Sequence, residues 1–400
     1  MNELSENPSL AQAGSDGANS QNAFERLKFS TTTLRAYTML IALAAIWIFF
    51  HWSTSGVFLT SRNLSNLMLQ TSVTGVLAVG MLMVIVSGHI DLSVGSVVGL
   101  AGGVSAILLT NLGFGFVPSL LAAVLIGVLI GLFQGSLVAY ANIPAFIVTL
   151  GGLLAWRGAI KGISHGETVP IALQAYKNIG QGYINQTGGW AIAAVAVAFI
   201  VWTAINNSRT KQSYGLGHVN PLSLVSSILV PSIAVVAFVF TMNKYKGIPI
   251  PVIIFLTVAL IGVFITQKTT FGRYLYAIGG NTDAARLSGI NIRHHIVAVY
   301  ALLGALTGIA AIIYTARVSS ASPDAGVLKE LDAIAACVIG GASLVGGRGA
   351  IFGACLGALI MASLDNGMSL MNVRDFVQDI VKGSILVTAV GLDMIGRKRG

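Results

Sequence analysis

Of the 400 residues, 55% are hydrophobic and only 9% are charged, where a soluble domain carries about 25% charged side chains. Such a surface excludes a soluble enzyme or binding module and suits a chain whose solvent is lipid, where an ionised group at depth is costly. The formal charge of +9 is dispersed over short loops and both tails. That excludes the clustered basic face of a nucleic-acid binder and fits membrane anchoring and orientation.

In chain order, residues 1–33 form a polar tail, expected to be disordered and cytoplasmic. It has neither the early apolar stretch nor the cleavage site of a signal peptide. Residues 34–395 read as one all-α, polytopic membrane bundle of ten to twelve spans, followed by a basic tail at 396–400. Apolar runs of span length fall at 35–50, 64–87, 93–110, 117–139, 144–160, 189–205, 225–241, 251–266, 294–315, 329–345, 350–365 and 376–393. Helices are the default because lipid offers the backbone no hydrogen-bond partners, and a barrel would show short alternating segments instead. The 47 glycines suit close helix contacts and broken helices. Small residues four apart predict packing seams: Gly127, Gly131 and Gly135; Gly304 with Gly308; Gly353 with Gly357. Lys and Arg gather in the loop 267–293 and in the tails (Arg26, Lys28, Arg35, Arg397, Lys398, Arg399), which places both termini and that loop in the cytoplasm. Segments 88–92 and 140–143 are the weak points of this topology, read as breaks within the membrane. Cys337 and Cys355 sit in apolar runs as small buried side chains.

Four segments interrupt the apolar pattern. In 88–95, Asp91 is expected to cap a helix opening near Leu92, with Ser93 donating locally and Gly95 following. The acid is read either as part of a capped helix break or as a gate element on a substrate path. In 142–152, Pro144 suits a helix start, and Thr149 and Gly151 make the span less uniform than lipid filler, with packing as the default reading. In 271–290, Asn281 or Thr282 caps a short helix running through Ala284 to Leu287, with Asp283 in its first turn and Gly289 ending it. That helix is marginal alone and reads as a docking surface. In 322–349, Glu330 and Asp332 precede an apolar run, the glycines permit a sharp reversal, and Asp365 and Asn366 follow at the end of the next span. These polar groups are either solvated span ends or part of a translocation path. The candidate path set is therefore Asp91, Ser93, Gly95, Thr149, Glu330, Asp332, Asp365 and Asn366.

No phosphate-binding G-x-x-x-x-G-K-[ST] pattern, H-E-x-x-H motif or paired-cysteine metal signature is present. Dispersed glycines and breaks favour a gated transporter. An ATP-independent channel or secondary transporter, and an embedded lipid-modifying enzyme, are the alternatives left by the residues themselves.

Five segments together are family-specific: IDLSVGS at 90–96, IPAFIVTLGG at 143–152, FGRYLYAIGGNTDAARLSGIN at 271–291, ELDAIAACVIGGASLVGGRG at 330–349 and SLDNGMS at 363–369. On these the chain resembles, over residues 35–395, the permease subunits of bacterial monosaccharide ABC importers. The extra sequence around 205–245 is similar to that of the family's xylose-type members rather than its smaller ribose-type ones. The resemblance implies a homodimeric pathway in the bacterial inner membrane, a separate cytoplasmic ATPase subunit holding ATP and Mg, and an extracytoplasmic sugar-binding protein. This chain would then be non-catalytic and bind no cofactor. The expected cargo is D-xylose, with ribose, arabinose or galactose as alternatives. The resemblance also implies ATPase-contact or loop-shaping roles for Gly272, Arg273, Gly279, Gly280, Asn281, Ala284, Ala285, Ser288 and Gly289.

Overall fold

The computed structural model describes residues 31–214 and 221–397. The predicted disorder of the first residues, and the tail cations Arg26, Lys28, Lys398 and Arg399, lie outside the described residues. Contacts divide the chain after Ala44. The first unit contributes the opening of helix α1 (Thr31–Ser53), and the second, from Ala45, holds the rest of the fold.

Each predicted apolar run carries a helix. After α1 come α2 (Ser61–Val86), α3 (Val94–Thr110), α4 (Phe116–Ala139), α5 (Ala145–Ile163), the short α6 (Gln174–Gln181), α7 (Gln186–Ser213), α8 (Pro221–Asn243) and α9 (Ile250–Lys268). The chain continues through α10 (Thr270–Gly280), α11 (Thr282–Leu287), α12 (Ile292–Val318), α13 (Lys329–Ile339), α14 (Ile351–Leu370) and α15 (Asp375–Arg397). Among the described residues, eight helices (α2, α4, α5, α7, α8, α9, α12 and α14) are long and apolar enough to cross a membrane by length and composition. The protein is a polytopic helical membrane protein.

Helix α2 is the centre of the second unit. Its second half is buried all round, as a core helix is. Every side chain from Thr71 to Val86 is buried, including Leu77, Met81, Leu82 and Ile85. The predicted glycine stripes explain how neighbours pack so closely. Gly127, Gly131 and Gly135 of α4 lie against Gly304, the Tyr300 carbonyl and Val297 of α12, so two separate stripes are the two sides of one seam. Gly353 and Gly357 of α14 meet Gly340 and Ala336 in a second seam. By contrast α7 and α8 turn Val195, Phe199, Trp202, Val230 and Ile233 outward, as lipid-facing helices do.

The second unit has two faces where loops gather. One, the near face, brings together the ends of α2 and α4, the segment α10–α11, the start of α12 and the loop 340–350: Gly279 and Gly347 sit against Val86, and Thr282, Arg286 and Arg293 surround a cavity with Asn142 and Pro144. On the opposite, far face, two-residue strands lace the loops. β1 (Val169–Pro170) pairs antiparallel with β4 (Ser320–Ala321), and β2 (Tyr183–Ile184) with β3 (Ile248–Pro249).

Three expectations need correction. The run 329–345 is not a continuous span: its helix ends at Ile339, and Gly341, Gly346 and Gly347 take positive φ in the loop that follows. The chain still passes from β4 on the far face to Gly347 on the near face, through an irregular stretch, an eleven-residue helix and a glycine loop. Helix α3 opens at Val94 rather than near Leu92. Residues 270–280 are helical rather than part of a connecting loop, because Thr269 caps Gly272 N–H and the helix buries Leu275 and Ile278.

Candidate functional site

The polar groups within the apolar runs form several clusters, each joining distant parts of the chain. The first lies at the α2–α3 break. Asp91 is 3% exposed, and its Oδ1 accepts from the Ser93 backbone N–H at 2.6 Å and from the Ser93 hydroxyl at 2.7 Å. The acid therefore closes the turn that leads into α3. Gln134 of α4 donates from Nε2 to the Ser93 hydroxyl at 3.0 Å. Thr149 donates to Ala145 O at 2.9 Å and lies 3.4 Å from Ile90 O, which seats α5 on the same break. A Cβ on Gly152 would collide with the Gln134 amide, so that glycine is what lets the amide reach Ser93.

The second cluster holds the irregular stretch 322–328 on α3 and α5. Gly95 admits the Glu330 carboxylate and the Gly326 carbonyl, and Gly99 admits Ala325 O. Arg157 of α5 donates from Nη1 to Pro323 O and Ala325 O, both at 2.7 Å. Lys161, one turn on, pairs with Asp324 at 3.2 Å on the surface. Hydrogen bonds from a charged donor contribute about 1.5–3 kcal/mol each. Arg157→Gln is expected to loosen 322–328, raising amide hydrogen exchange there while leaving α2 protected. Unchanged exchange in 322–328 would show that the stretch holds without Arg157.

The third cluster is a closed set of four charges. Lys329 Nζ lies 2.6 Å from Asp332 and 3.8 Å from Asp365; Lys382 Nζ lies 2.7 Å from Asp365 and 3.7 Å from Asp332. The next residue, Asn366, points the other way, where Oδ1 accepts from Asn63 Nδ2 of α2 at 2.8 Å. The eight predicted path residues thus fall into separate groups: Asp91, Ser93 and Thr149 at the break; Gly95 with Glu330; Asp332 with Asp365; and Asn366 of α14 bonded to Asn63 of α2. Sequence reasoning missed Gln134, Arg157, Lys329 and Lys382. For Arg157 and Lys382 a signal existed, since a cation inside an apolar run demands a partner.

On the near face, α10 and α11 divide the predicted coupling residues into two sides. Gly272, Gly279 and Ala285 face inward. A Cβ on Gly279 would fall on the Val86 carbonyl oxygen. Arg273, Gly280, Asn281, Ala284, Ser288 and Gly289 are exposed, beside Leu287 at 89% exposure. Asn281 Oδ1 accepts from Ala284 N–H at 2.9 Å as the α11 cap, and Ser288 donates to Ala284 O at 2.9 Å. Burial holds the Tyr276 phenol above its ordinary pKa, and its hydroxyl donates to Gly349 O at 2.8 Å, tying α10 to the loop after α13. A cavity of about 920 Å³ opens between this segment and the α4–α5 loop, lined by Arg286, Arg293, Asn142, Asn291 and His89 with no acidic side chain.

Residues 63–390 match the family described as branched-chain amino acid transport system / permease component. The chain is 46% identical to the xylose transport system permease protein XylH of Haemophilus influenzae over 374 residues, which is 93% of this chain and 99% of that one. It is 46% identical to XylH of Escherichia coli strain K12 over 367 residues, 92% of this chain and 93% of the relative. The ribose import permease protein RbsC of Escherichia coli strain K12 is 36% identical over 373 residues, covering 93% and 98%. No solved structure matches the chain.

Proposed function

Since the chain belongs to the permease-component family of transport systems, we propose that it forms the membrane pathway of an ATP-driven sugar importer whose cargo is D-xylose. The observation that carries this reading is the 46% identity to XylH over 93% of the chain, against 36% to RbsC. Ribose is the second cargo to test, on the strength of that second relative.

In this reading two copies of the chain enclose the path in a bacterial inner membrane, with both termini in the cytoplasm. The near face is cytoplasmic and receives the ATPase subunit, which holds ATP and Mg; this chain binds neither. The exposed row of Arg273, Asn281, Ala284 and Ser288 supports that docking, because it stands on helices whose inward side is fixed to α2 and the loop 340–350. A push on α10 is thereby delivered to the α2–α3 break and to the broken crossing. The far face receives a sugar-binding protein. Asp91, Ser93 and Thr149 at the break, and Gly95 with Glu330 along α3, are the proposed gate and path residues. They need bind sugar only weakly, because the delivery protein performs the capture.

The test is reconstitution in liposomes with the ATPase and sugar-binding protein. Xylose-loaded binding protein is expected to stimulate ATP hydrolysis and sugar uptake, with ribose, arabinose and galactose weaker. Uptake without the ATPase would replace this reading with a channel or secondary transporter. Turnover of lipid by the purified chain would replace it with an embedded enzyme. An Asn281→Ala variant loses the α11 cap, which is worth about 1 kcal/mol in a helix. It is expected to reduce sugar-stimulated hydrolysis several-fold with membrane insertion intact, and wild-type stimulation would remove Asn281 from the coupling surface.

A further inference from the structure

The cavity of about 920 Å³ on the near face is rich in hydrogen-bond donors, and no carboxylate lines it. Its walls come from the α4–α5 loop with the first turn of α5, from α11, and from the start of α12. Arg286 of α11 and Arg293 of α12 both line it. Among the described residues neither has a close ion pair. Arg286 Nη1 lies 4.0 Å from Asp283, an exposed neighbour outside the lining, and the Arg293 guanidinium lies 5.7 Å from the centre of the Tyr140 ring. Asn291 accepts the His294 N–H through Oδ1 at 3.1 Å, which leaves its amide nitrogen as a further donor. At the start of α5 the Pro144 carbonyl takes the Ile147 and Val148 N–H groups, and no side chain caps the helix. The N–H groups of Ala145 and Phe146 have no acceptor within the helix, and both residues line the cavity.

This donor set selects a ligand class. A neutral sugar asks for acceptors as well as donors, and a lone carboxylate has only two oxygens to offer. Two guanidinium groups with open amides and N–H groups suit a phosphate group, which carries full charge on several acceptor oxygens. The rest of the lining is apolar, with Val138, Ile143 and Phe146. Phe146 also begins an exposed apolar row that runs along α5 through Ile147, Leu150 and Leu154. A lipid-facing surface therefore reaches the rim of a basic cavity, with Tyr140 beside Arg293 as in the aromatic and basic belts that anchor spans. Basic pockets between spans are where anionic headgroups bind. A free phosphate makes no use of the apolar row, whereas a phospholipid can lay its acyl chains there. The cavity also backs the short helix α11. Thr282 and Arg286, one turn apart, line it, while Ala284 and Ser288 stand exposed elsewhere on the same helix. Six residues are too few for a helix to hold itself, so a ligand bridging α11 to α5 and α12 would brace it.

We propose that this cavity is a phosphate site, filled by the headgroup of an anionic phospholipid whose acyl chains lie on the α5 row, and that the bound phosphate braces α11 against α5 and α12. The site does not rest on the transport reading; its effect on ATP turnover does. The test uses the purified full chain in phosphatidylcholine nanodiscs into which phosphatidylglycerol is titrated. Retained phosphatidylglycerol is measured by native mass spectrometry, and amide hydrogen exchange is followed over 282–289. The parent is expected to retain phosphatidylglycerol and to exchange more slowly over 282–289 as it is added. A basic side chain beside an anionic headgroup contributes about fivefold in affinity, so Arg286→Gln/Arg293→Gln is expected to bind about thirtyfold more weakly and to lose the protection. Both side chains are exposed, so this variant is expected to melt within a few degrees of the parent. The charge-matched control Lys268→Gln/Arg273→Gln lies outside the lining and is expected to retain the lipid as the parent does. Inorganic phosphate in phosphatidylcholine discs is the second arm. Protection of 282–289 by phosphate alone, lost in Arg286→Gln/Arg293→Gln, would support the phosphate site and overturn the lipid as its source. Equal retention by the parent and that variant overturns the proposal. So does protection that appears only when the ATPase is added, because the cavity would then belong to the docking contact. In the complete complex, phosphatidylglycerol is expected to raise sugar-stimulated hydrolysis several-fold in the parent and not in Arg286→Gln/Arg293→Gln. Stimulation indifferent to phosphatidylglycerol overturns the bracing role. A complex that imports no sugar removes the transport reading and leaves the lipid result standing.

Discussion

Alanine at Gly279 is expected to abolish sugar-stimulated ATP hydrolysis. The added methyl would fall on the Val86 carbonyl oxygen and within 2.8 Å of the Gly347 nitrogen. Those two atoms already bond to each other, Gly347 N–H to Val86 O at 2.9 Å. Both neighbours are backbone, so neither can rotate aside as a side chain would. The methyl must therefore part α10 from α2 and from the loop 340–350, the two elements through which a push from the near face would reach the path in the proposed mechanism. Overpacking costs about 1–3 kcal/mol, and a broken buried hydrogen bond about 1–3 kcal/mol more. Gly280→Ala is the control: no atom lies within 4 Å of its Cβ position, so its packing is undisturbed. Parallel measurement of melting and of stimulated hydrolysis decides the matter. A Gly279→Ala complex with parental stimulation would show that the joint is not on the coupling route.

Removing one member of the closed set of four charges is expected to be the most destabilising change of a single polar group. Asp332→Asn preserves size but leaves two lysines with one carboxylate, in a site where Asp332 is 3% exposed. Deleting one partner of a buried pair costs about 3–5 kcal/mol, mostly from the charge left behind. The large loss should appear as a fall in the melting temperature of the solubilised chain. Pairing the change with Lys329→Gln should recover most of it, since the remaining Lys382–Asp365 pair at 2.7 Å is complete in itself. A single variant no less stable than the double one would mean that water or lipid headgroups satisfy the orphaned lysine.

Much of this architecture is written in composition. Lipid leaves the backbone only its own hydrogen bonds, so long apolar runs such as 64–87 and 117–139 had to be helices. Gly127, Gly131 and Gly135 announced a seam, although only the structure pairs them with Gly304 and Tyr300. Hydropathy failed at 329–345 because it counts apolar side chains and is blind to a backbone that turns at Gly341. The set of four charges stayed hidden for another reason. Asp332 and Lys382 come together only when α13, α14 and α15 pack, and no local pattern encodes a partner on another helix. Gln134 gave even less warning, since an uncharged amide in an apolar helix neither stops a run nor demands a counter-ion. In the 271–291 segment the Asn281 cap of a short helix was legible. Which of its residues face inward was decided by α2.

The burial of α2 has a consequence for how the protein is made. This helix ends with no side chain from Thr71 to Val86 at the surface, enclosed largely by α12, α13 and α14. Its wrapping is synthesised more than two hundred residues later, which at about 5–20 residues per second means on the order of ten seconds or more. Through that interval α2 waits in lipid or against the insertion machinery. Gly80, which packs on Leu303 and Leu306 of α12, is uncovered throughout. Nascent chains stalled before α12 therefore display an unsatisfied seam within the bilayer, the sort of surface that membrane quality control inspects. For this fold, the last third of the chain completes the first.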